Sequence, residues 1–122
     1  MSLRDFEPDY ISVRQQDGVT IVGFTLSGLT EEANIDQVGH ELFGLVEQYN
    51  CLKMVVSLKG VIYITSSGLG KLITLHRKMH RLQGQVAFCE VEPVVEDILK
   101  TSRLFTYFLI TPDVDSGIAA VK

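Results

Sequence analysis

Short apolar runs alternate with helical patterns along this chain, and this alternation constrains the fold more than any other feature. Lys53–Leu58 is mostly apolar, as expected for a strand that a parallel sheet buries on both faces. From Ile35 to Tyr49 the apolar residues instead recur at helical spacing, which places them on one buried face. Strand and helix signals that alternate in this way predict an α/β fold.

The sheet is predicted to begin with an antiparallel pair of strands. Tyr10–Gln15 alternates apolar and polar residues, and Asp17-Gly18 is a strong turn signal before a second strand at Val19–Leu26. A loop follows, in which Thr30, or Asn34 a little later, is the candidate N-cap of the first helix. The later strands are separated by helices, so the sheet as a whole is predicted to be mixed.

The second half of the chain continues the alternation. After Val61–Ile64 a helix is expected, with Ser66 or Ser67 as its N-cap and Gly84 as its end. The inner face of this helix is predicted to hold Leu69, Leu72, Ile73, His76, Met79 and Leu82.

Two more strands and two more helices complete the predicted order. The strands are Gln85–Val91 and Tyr107–Ile110, and the helices begin near Pro93 and Pro112. The helix at Pro93 is predicted to bury Val94, Val95, Ile98 and Leu99. The order is therefore β-β-α-β-α-β-α-β-α, an α/β fold in which a mixed sheet of about four to five strands packs against about four helices.

The length and composition indicate one folded domain. A chain of 122 residues with 46% hydrophobic content can bury a core of its own. We expect a single domain over residues 1–122. Residues 1–9, three of which are acidic, are expected to form a loosely ordered N-terminal segment. The formal net charge of −4 argues against direct binding to nucleic acid, which basic proteins favour.

The sequence predicts a cytoplasmic protein. The N-terminus lacks the apolar stretch of a signal peptide, and no apolar run approaches the roughly 20 residues that span a bilayer, so no contact with a membrane is expected. The two cysteines, Cys51 and Cys89, lie in apolar surroundings and form no CxxC pair, which is typical of buried, reduced thiols.

Three familiar kinds of catalytic or metal site find no support. The phosphate-loop pattern fails because Leu72 follows Lys71 where serine or threonine is needed. His76 and His80 share a helix face, but the zinc-protease pattern requires glutamate at the position of Arg77. No serine stands in a G-x-S-x-G elbow. We therefore expect no enzyme activity, no catalytic residue, no metal and no cofactor.

Two adjacent hydroxyls, Ser66 and Ser67, stand where an apolar run ends and a helical pattern begins. Backbone N–H groups and the positive end of the helix dipole hold an oxygen there, and they accommodate a phosphate of about −2 charge. The pair is therefore a candidate switch. The same helix carries a basic face, which predicts contact with an acidic partner or an anion and consists of Lys71, Arg77, Lys78, His80 and Arg81.

Val55–Gly70 resembles the core motif of the STAS domain, in the form found in bacterial anti-sigma factor antagonists. In that motif an apolar strand leads into D-L-S-x-V and, a few residues later, into D-S-S-G-L-G. The second string reads T-S-S-G-L-G in this chain. Further matches follow in the same order, at Gly28-Leu29, Glu92–Val95, Ile98–Thr101, Phe108 and Ile110. The resemblance implies the STAS fold, which is also called SpoIIAA-like.

The resemblance implies a protein that regulates transcription by partner switching. In the family, an anti-sigma factor that is an ATP-dependent serine kinase phosphorylates the first serine of the motif, and a serine phosphatase restores it. The unphosphorylated antagonist binds the kinase and frees the sigma factor. The matching site is Ser66, with Ser67 and Thr65 as the other candidates, and a monomer or weak homodimer is expected. The implied partner-binding residues are Gly28, Leu29, Thr30, Thr65, Ser66, Ser67, Gly68, Leu69 and Lys71.

The chain departs from the family motif where the family carries acidic residues. Thr65 and Ser57 replace its two aspartates, Lys59 replaces the serine of D-L-S, and Thr30 replaces an acidic residue that often follows the loop glycine and leucine. The docking site is therefore expected to be less acidic than in the family. Two other functions stay open: a scaffold or signalling-complex subunit without a phosphate cycle, and a domain that binds a small ligand or assists lipid transport.

Overall fold

Strands and helices alternate along the chain, as the apolar pattern predicts. The computed structural model describes residues 3–29 and 31–122, so the predicted partner contact Thr30 lies outside the described residues. The strands are β1 (Ile11–Gln16), β2 (Val19–Phe24), β3 (Gly28–Leu29), β4 (Lys53–Ser57), β5 (Tyr63–Ile64), β6 (Gln85–Cys89) and β7 (Leu109–Thr111). The helices are α1 (Glu32–Glu47), α2 (Ser66–Arg81), α3 (Pro93–Thr101) and α4 (Val114–Val121).

Five of the strands form one mixed sheet in the order β1-β2-β4-β6-β7. β1 pairs antiparallel with β2, while β2, β4, β6 and β7 run parallel to one another. Asp17 and Gly18 join the antiparallel pair with φ values of 55° and 79°, the backbone conformation that a tight hairpin turn requires. The predicted mixed sheet and its antiparallel beginning are confirmed.

The sheet buries different side chains on its two faces. Met54 and Val56 of β4 belong to the larger core, which α1, α2 and α3 cover, whereas Val55 belongs to a smaller core beneath α4. Successive side chains of a strand alternate between faces, so a continuously apolar strand serves both cores. Helices α2, α3 and α4 each follow the carboxyl end of a parallel strand, and ligand or partner sites of open α/β sheets commonly lie at that edge.

A second, two-stranded sheet lies at this edge, and the hydrophobic pattern does not predict it. β3 pairs in parallel with β5, with Gly28 opposite Tyr63 and Leu29 opposite Ile64. Each strand has two residues, which is too short for any period to show in a sequence. The pairing brings the loop after β2 to the start of α2.

The buried stripe and the end of α2 differ from the prediction. Leu75 is fully buried, whereas Leu82, expected on the inner face, is 47% exposed because the helix ends one residue before it. The left-handed residue after the helix is Gln83, with φ 61°. Gly84 is required for a different reason, since a Cβ there would lie 2.7 Å from the carbonyl oxygen of Leu52.

Two other expectations about the helices are wrong. Val94, expected on the inner face of α3, is 54% exposed, while Val95 and Leu99 are buried as predicted. Asn34 lies inside α1, and the N-cap position is Glu31, whose side chain makes no cap hydrogen bond with the described residues. Packing of the apolar stripe therefore stabilises α1 more than capping does.

None of the four described helices has the length and apolar content needed to cross a bilayer.

Both cysteines are buried free thiols, which agrees with the prediction. Burial raises the pKa of the Cys89 thiol to about 12, and the nearby Glu90 adds to this effect. The thiolate is the reactive form, so Cys89 is expected to stay unreactive near neutral pH.

One buried carboxylate attaches the first part of the chain to α1. Glu41 is 3% exposed and accepts hydrogen bonds from the backbone N–H groups of Asp9 at 2.8 Å and Tyr10 at 3.0 Å. The side-chain amide of Gln37 donates a third bond to Glu41 at 2.9 Å. The predicted loose order of residues 1–9 stays a prediction.

Glu41→Ala is expected to lower the free energy of unfolding by at least about 2 kcal/mol. It removes three hydrogen bonds to a charged acceptor, each of which contributes about 1.5–3 kcal/mol, and water that reaches the freed donors recovers part of this loss. Urea denaturation measures the change. The matched control is Glu47→Ala on the same helix, which removes only an exposed ion pair with Lys78 and should cost less than about 1 kcal/mol. Equal losses in the two variants would contradict the proposed attachment.

Candidate partner-docking site at the start of helix α2

Thr65, rather than Ser66 or Ser67, is the N-cap of α2. Its backbone is extended, with φ −96° and ψ 173°, and its hydroxyl accepts a hydrogen bond from the N–H of Gly68 at 3.3 Å. The prediction that a serine caps this helix is therefore wrong. The residue that replaces the motif's aspartate is the capping residue, and both aspartate and threonine are effective caps.

The two serines are accessible. Ser66 and Ser67 occupy the first two positions of α2, and both are exposed. The first N–H groups of a helix have no partner within the helix, so a phosphate at Ser66 would lie near these donors and the positive end of the dipole. Ser66 is therefore open to solvent, at a helix end whose free N–H groups favour a negative charge.

Thr65 is less suited to modification than the serines. Its hydroxyl donates to the carbonyl oxygen of Leu29 at 3.2 Å while it accepts from Gly68. The backbone N–H of Thr65 donates to the same carbonyl at 3.0 Å. A phosphate on Thr65 would remove the hydroxyl proton and disrupt the cap, so the geometry favours Ser66 and Ser67.

The glycines and leucines of the predicted site support it from beneath. Leu29 and Leu69 are 1% and 9% exposed, and Gly68 is buried against Leu29 of β3 and Ile64 of β5. A Cβ at Gly68 would lie 2.8 Å from Cγ1 of Ile64 and 3.0 Å from Cβ of Leu29. Glycine therefore allows α2 to begin directly against the small sheet, where Gly28 pairs with Tyr63.

Lys71, predicted to contribute to the docking surface, is turned toward α1. Its Nζ lies 3.5 Å from Oδ1 of Asp36, and a Cβ at Gly39 would lie 2.8 Å from its Cδ. Lys78 likewise pairs with Glu47 at 3.2 Å. The predicted basic face of α2 is therefore divided: its lysines contact α1, and its two arginines are exposed elsewhere.

Two exposed apolar side chains shortly before the serines in the chain were not predicted as site residues. Ile62 and Tyr63 are 40% and 60% exposed, although they belong to an apolar run that usually indicates a buried strand. They lie four and three residues before Ser66, at the beginning of the strand that leads into α2. Exposed tyrosine is common at the energetic centres of protein interfaces. The sequence shows only that these residues belong to an apolar run. Their exposure could not be inferred from it, because the pairing of β3 with β5 was not predicted.

Carboxylates reach the loop after β4 from the loop after β6. The Ser57 hydroxyl donates to Oε1 of Glu90 at 2.7 Å and accepts from the N–H of Lys59 at 3.2 Å. The N–H of Gly60 donates to Oε2 of Glu92 at 2.7 Å. Ser57 stands where the family motif has an aspartate, so this position carries no carboxylate. Glu90 and Glu92 nevertheless bring negative charge to the loop after β4.

The two histidines of α2 stack on each other. The ring centroids of His76 and His80 are 5.7 Å apart, with 25° between the ring planes. In the described parts of the chain, no three His, Cys, Asp or Glu residues are grouped so that they could hold a metal ion. Burial lowers the pKa of His76, and the nearby His80 lowers it further.

The free energy of unfolding is expected to fall as the pH is lowered from about 8 to about 5.5, in part because of His76. Its pKa in the folded protein is below the usual value of 6.5, so the unfolded chain takes up the proton first and protonation favours unfolding. The titratable and charged groups that share a surface hollow with His76 are His80, Arg77, Arg81 and Tyr107. Urea denaturation at several pH values should show a weaker pH dependence for His76→Gln. The same dependence in both proteins would exclude His76 as a cause.

Comparison with known protein families shows to which family the chain belongs. Residues 10–117 match the STAS domain. The chain belongs to the STAS domain family. The match begins just before β1 and ends within α4, so it includes every strand of this STAS domain and the whole start of α2.

Two relatives of this STAS domain match it over most of their length. An anti-sigma F factor antagonist from Paenibacillus polymyxa is 31% identical over 111 residues, which cover 91% of each chain. A candidate anti-sigma factor antagonist from Bordetella bronchiseptica, BtrV, is 27% identical over 106 residues, which cover 87% of this chain and 89% of that protein.

Solved structures show the same fold. A candidate anti-sigma factor antagonist from Thermotoga maritima superimposes with a TM-score of 0.79 and 17% identity, and covers 91% of this chain and 93% of its own. The phosphorylated form of the Bacillus cell fate determinant SpoIIAA superimposes with a TM-score of 0.69 and 12% identity, over 92% and 99% of the two chains. The predicted STAS, or SpoIIAA-like, fold is confirmed.

Proposed function

We propose that this STAS domain is an anti-sigma factor antagonist whose partner is an anti-sigma factor with serine-kinase activity. The unmodified domain binds the kinase, and phosphorylation of Ser66 ends the binding. In that step Ser66 Oγ forms a bond to the γ-phosphorus of ATP, ADP leaves, and the hydroxyl proton passes to a base of the kinase. The names of the relatives support the antagonist function. The exposed position of Ser66 at the first residue of α2 carries the proposal for the switch.

The position of Ser66 suits a switch that changes the surface without changing the fold. A phosphate adds about −2 charge, and the free N–H groups of the helix start accommodate it. The cap does not involve Ser66, because Thr65 supplies the acceptor for the N–H of Gly68. Modification would therefore alter the charge and hydration of the docking surface while α2 stays in place.

The docking surface that we propose combines hydroxyl and apolar groups. Ser66 and Ser67 supply the hydroxyls, and Ile62 and Tyr63, a few residues earlier in the chain, supply exposed apolar area. A partner that covers this surface buries apolar area and desolvates Ser66 together, so a dianion at Ser66 would have to be desolvated within the interface. Leu29, Gly68 and Leu69 hold the surface from below, and the direct contacts proposed for Lys71 and Thr30 stay predictions.

The test is to incubate the purified domain with ATP and the serine-kinase anti-sigma factors of its own source, and to locate phosphate by mass spectrometry. We expect one phosphate, on Ser66, that is absent in Ser66→Ala and present in the matched control Ser67→Ala. A serine phosphatase should remove it. Absence of phosphate on Ser66, Ser67 and Thr65, together with no kinase bound, would reject the proposal.

Further parts of the proposal concern the setting of this cycle. We propose that the protein acts in the cytoplasm, where ATP and sigma factors are found, and that it is a monomer or weak homodimer.

One observation favours a second candidate function, a scaffold without a phosphate cycle: the residue before Ser66 is Thr65 rather than the family's aspartate. Light scattering of the purified protein discriminates between them, because a scaffold should form a large assembly.

A further inference from the structure

A concave surface lies beside the last turns of α2, about 20 Å along the helix axis from Ser66. One hollow of about 600 Å³ is lined by His76, Arg77, His80, Arg81 and Tyr107. An adjoining hollow of about 400 Å³ shares the two histidines and continues over Met79, Gly84, Val86 and Leu109. We call the two hollows together the basic groove. Each has the volume of a small-molecule site.

The basic groove carries positive charge that nothing in the described part of the chain balances. Lys71 and Lys78 of α2 pair with carboxylates of α1, but Arg77 and Arg81 take part in none of the ion pairs formed by residues 3–29 and 31–122. No described carboxylate lines either hollow. Two guanidinium groups in a concavity, in a chain of net charge −4, favour an anionic ligand.

Aromatic and aliphatic side chains form the rest of the basic groove. The ring of Tyr107 lies 4.7 Å from that of His76, centroid to centroid, and is 47% exposed. Leu109 is 39% exposed at the edge strand β7, while Met79 and Val86 close the floor of the smaller hollow. An inorganic ion would leave this apolar area uncovered, so the shape and composition favour an anion attached to an apolar body.

His76 lines both hollows of the basic groove. Its Nδ1 is buried and has no hydrogen-bond partner among the described residues. Buried polar atoms of folded proteins are nearly always hydrogen-bonded, so this atom is an exception that calls for a partner.

We propose that the basic groove binds a small organic anion, a carboxylate or phosphate monoester carried on an aromatic or other apolar body. Arg77 and Arg81 bind the anionic group, while the Tyr107 ring and the floor of the smaller hollow cover the apolar part. The groove lies at the opposite end of α2 from the serines, so this proposal does not depend on the phosphorylation of Ser66.

The test is an amide NMR titration of the ¹⁵N-labelled domain with two probes, phenyl phosphate and benzoate. We expect saturable shifts concentrated in residues 76–86 and 105–109, with a dissociation constant of about 1 mM or lower for at least one probe. The tighter of the two probes identifies the preferred anionic group. The double variant Arg77→Gln with Arg81→Gln should bind about tenfold more weakly or worse, whereas the exposed control Lys59→Gln should bind as the unsubstituted protein does.

Several results would overturn the proposal. Benzyl alcohol, the neutral probe, should not match the two anions, and equal binding would show that the charge is irrelevant. No saturable shift with either anion, or unchanged binding in the double arginine variant with a native amide spectrum, would also reject it. A hexaglutamate peptide that shifts the same residues while both aromatic anions fail would assign the basic groove to an acidic protein instead.

Discussion

Substituting aspartate for Ser66 is expected to weaken binding to the anti-sigma factor by about tenfold to a hundredfold, while alanine leaves the affinity within about threefold. Aspartate places a permanent negative charge where the proposed interface covers a neutral hydroxyl. Like charges or unpaired polar groups across an interface can cost several kcal/mol. Alanine removes the hydroxyl without adding charge, so the apolar contacts proposed for Ile62 and Tyr63 remain.

Isothermal titration calorimetry with the purified partner measures both affinities. The two variants should fold, because the cap is supplied by Thr65 and a carboxylate in the first turn of a helix is favourable. Ser67→Asp adds the same charge one residue farther along the same docking surface and is expected to cause a smaller loss. Equal affinities for Ser66→Ala and Ser66→Asp would contradict the proposal that a charge at position 66 controls binding. An equal loss in Ser66→Asp and Ser67→Asp would show that general charge, rather than position 66, determines binding.

Gly68→Ala is expected to lower the free energy of unfolding by about 1–3 kcal/mol, although alanine favours a helix by about 1 kcal/mol over glycine. The added Cβ would lie 3.1 Å from the backbone carbonyl oxygen of Leu29, in addition to its contacts with the side chains of Ile64 and Leu29. Those neighbours belong to the small sheet, so relief requires the start of α2 to move away from β3.

Gly70→Ala is the matched control for this prediction. It lies two residues later in the same helix, and a Cβ there meets nothing within 4 Å. Alanine at position 70 should therefore raise the free energy of unfolding, by up to about 1 kcal/mol, through helix propensity alone. Urea denaturation of the two variants gives the comparison. If Gly68→Ala is as stable as Gly70→Ala, the close contact between α2 and the small sheet does not limit stability.

The order of strands and helices could be predicted because it depends on long apolar patterns. The stripe of α1 and the apolar run of β4 each extend over enough residues for their period to show. The pairing of β3 with β5 could not be predicted in this way, since two-residue strands carry no period. Their pairing depends on backbone hydrogen bonds such as that from the N–H of Ile62 to the carbonyl oxygen of Ser27 at 2.8 Å.

The candidate site was predictable in its position but not in its details. The serine pair at a strand-to-helix junction located the site, and the exposure of Ser66 agrees with that prediction. The identity of the cap was missed because serine and threonine are both good caps, so only the backbone geometry at Thr65 distinguishes them. The direction of Lys71 was missed for a similar reason: a helical pattern does not tell which neighbouring helix a long side chain meets.

The neutral cap at Thr65 has a consequence for how a partner would distinguish the unmodified protein from the phosphorylated form that we propose. A helix start capped by aspartate changes from about −1 to about −3 on phosphorylation, so the partner must discriminate between two anionic surfaces. With threonine in that place the same modification takes these residues from no charge to about −2. Phosphorylation then introduces a negative charge where none was present, instead of adding to an existing one. A partner that binds the unmodified form therefore needs no positively charged side chain opposite the helix start.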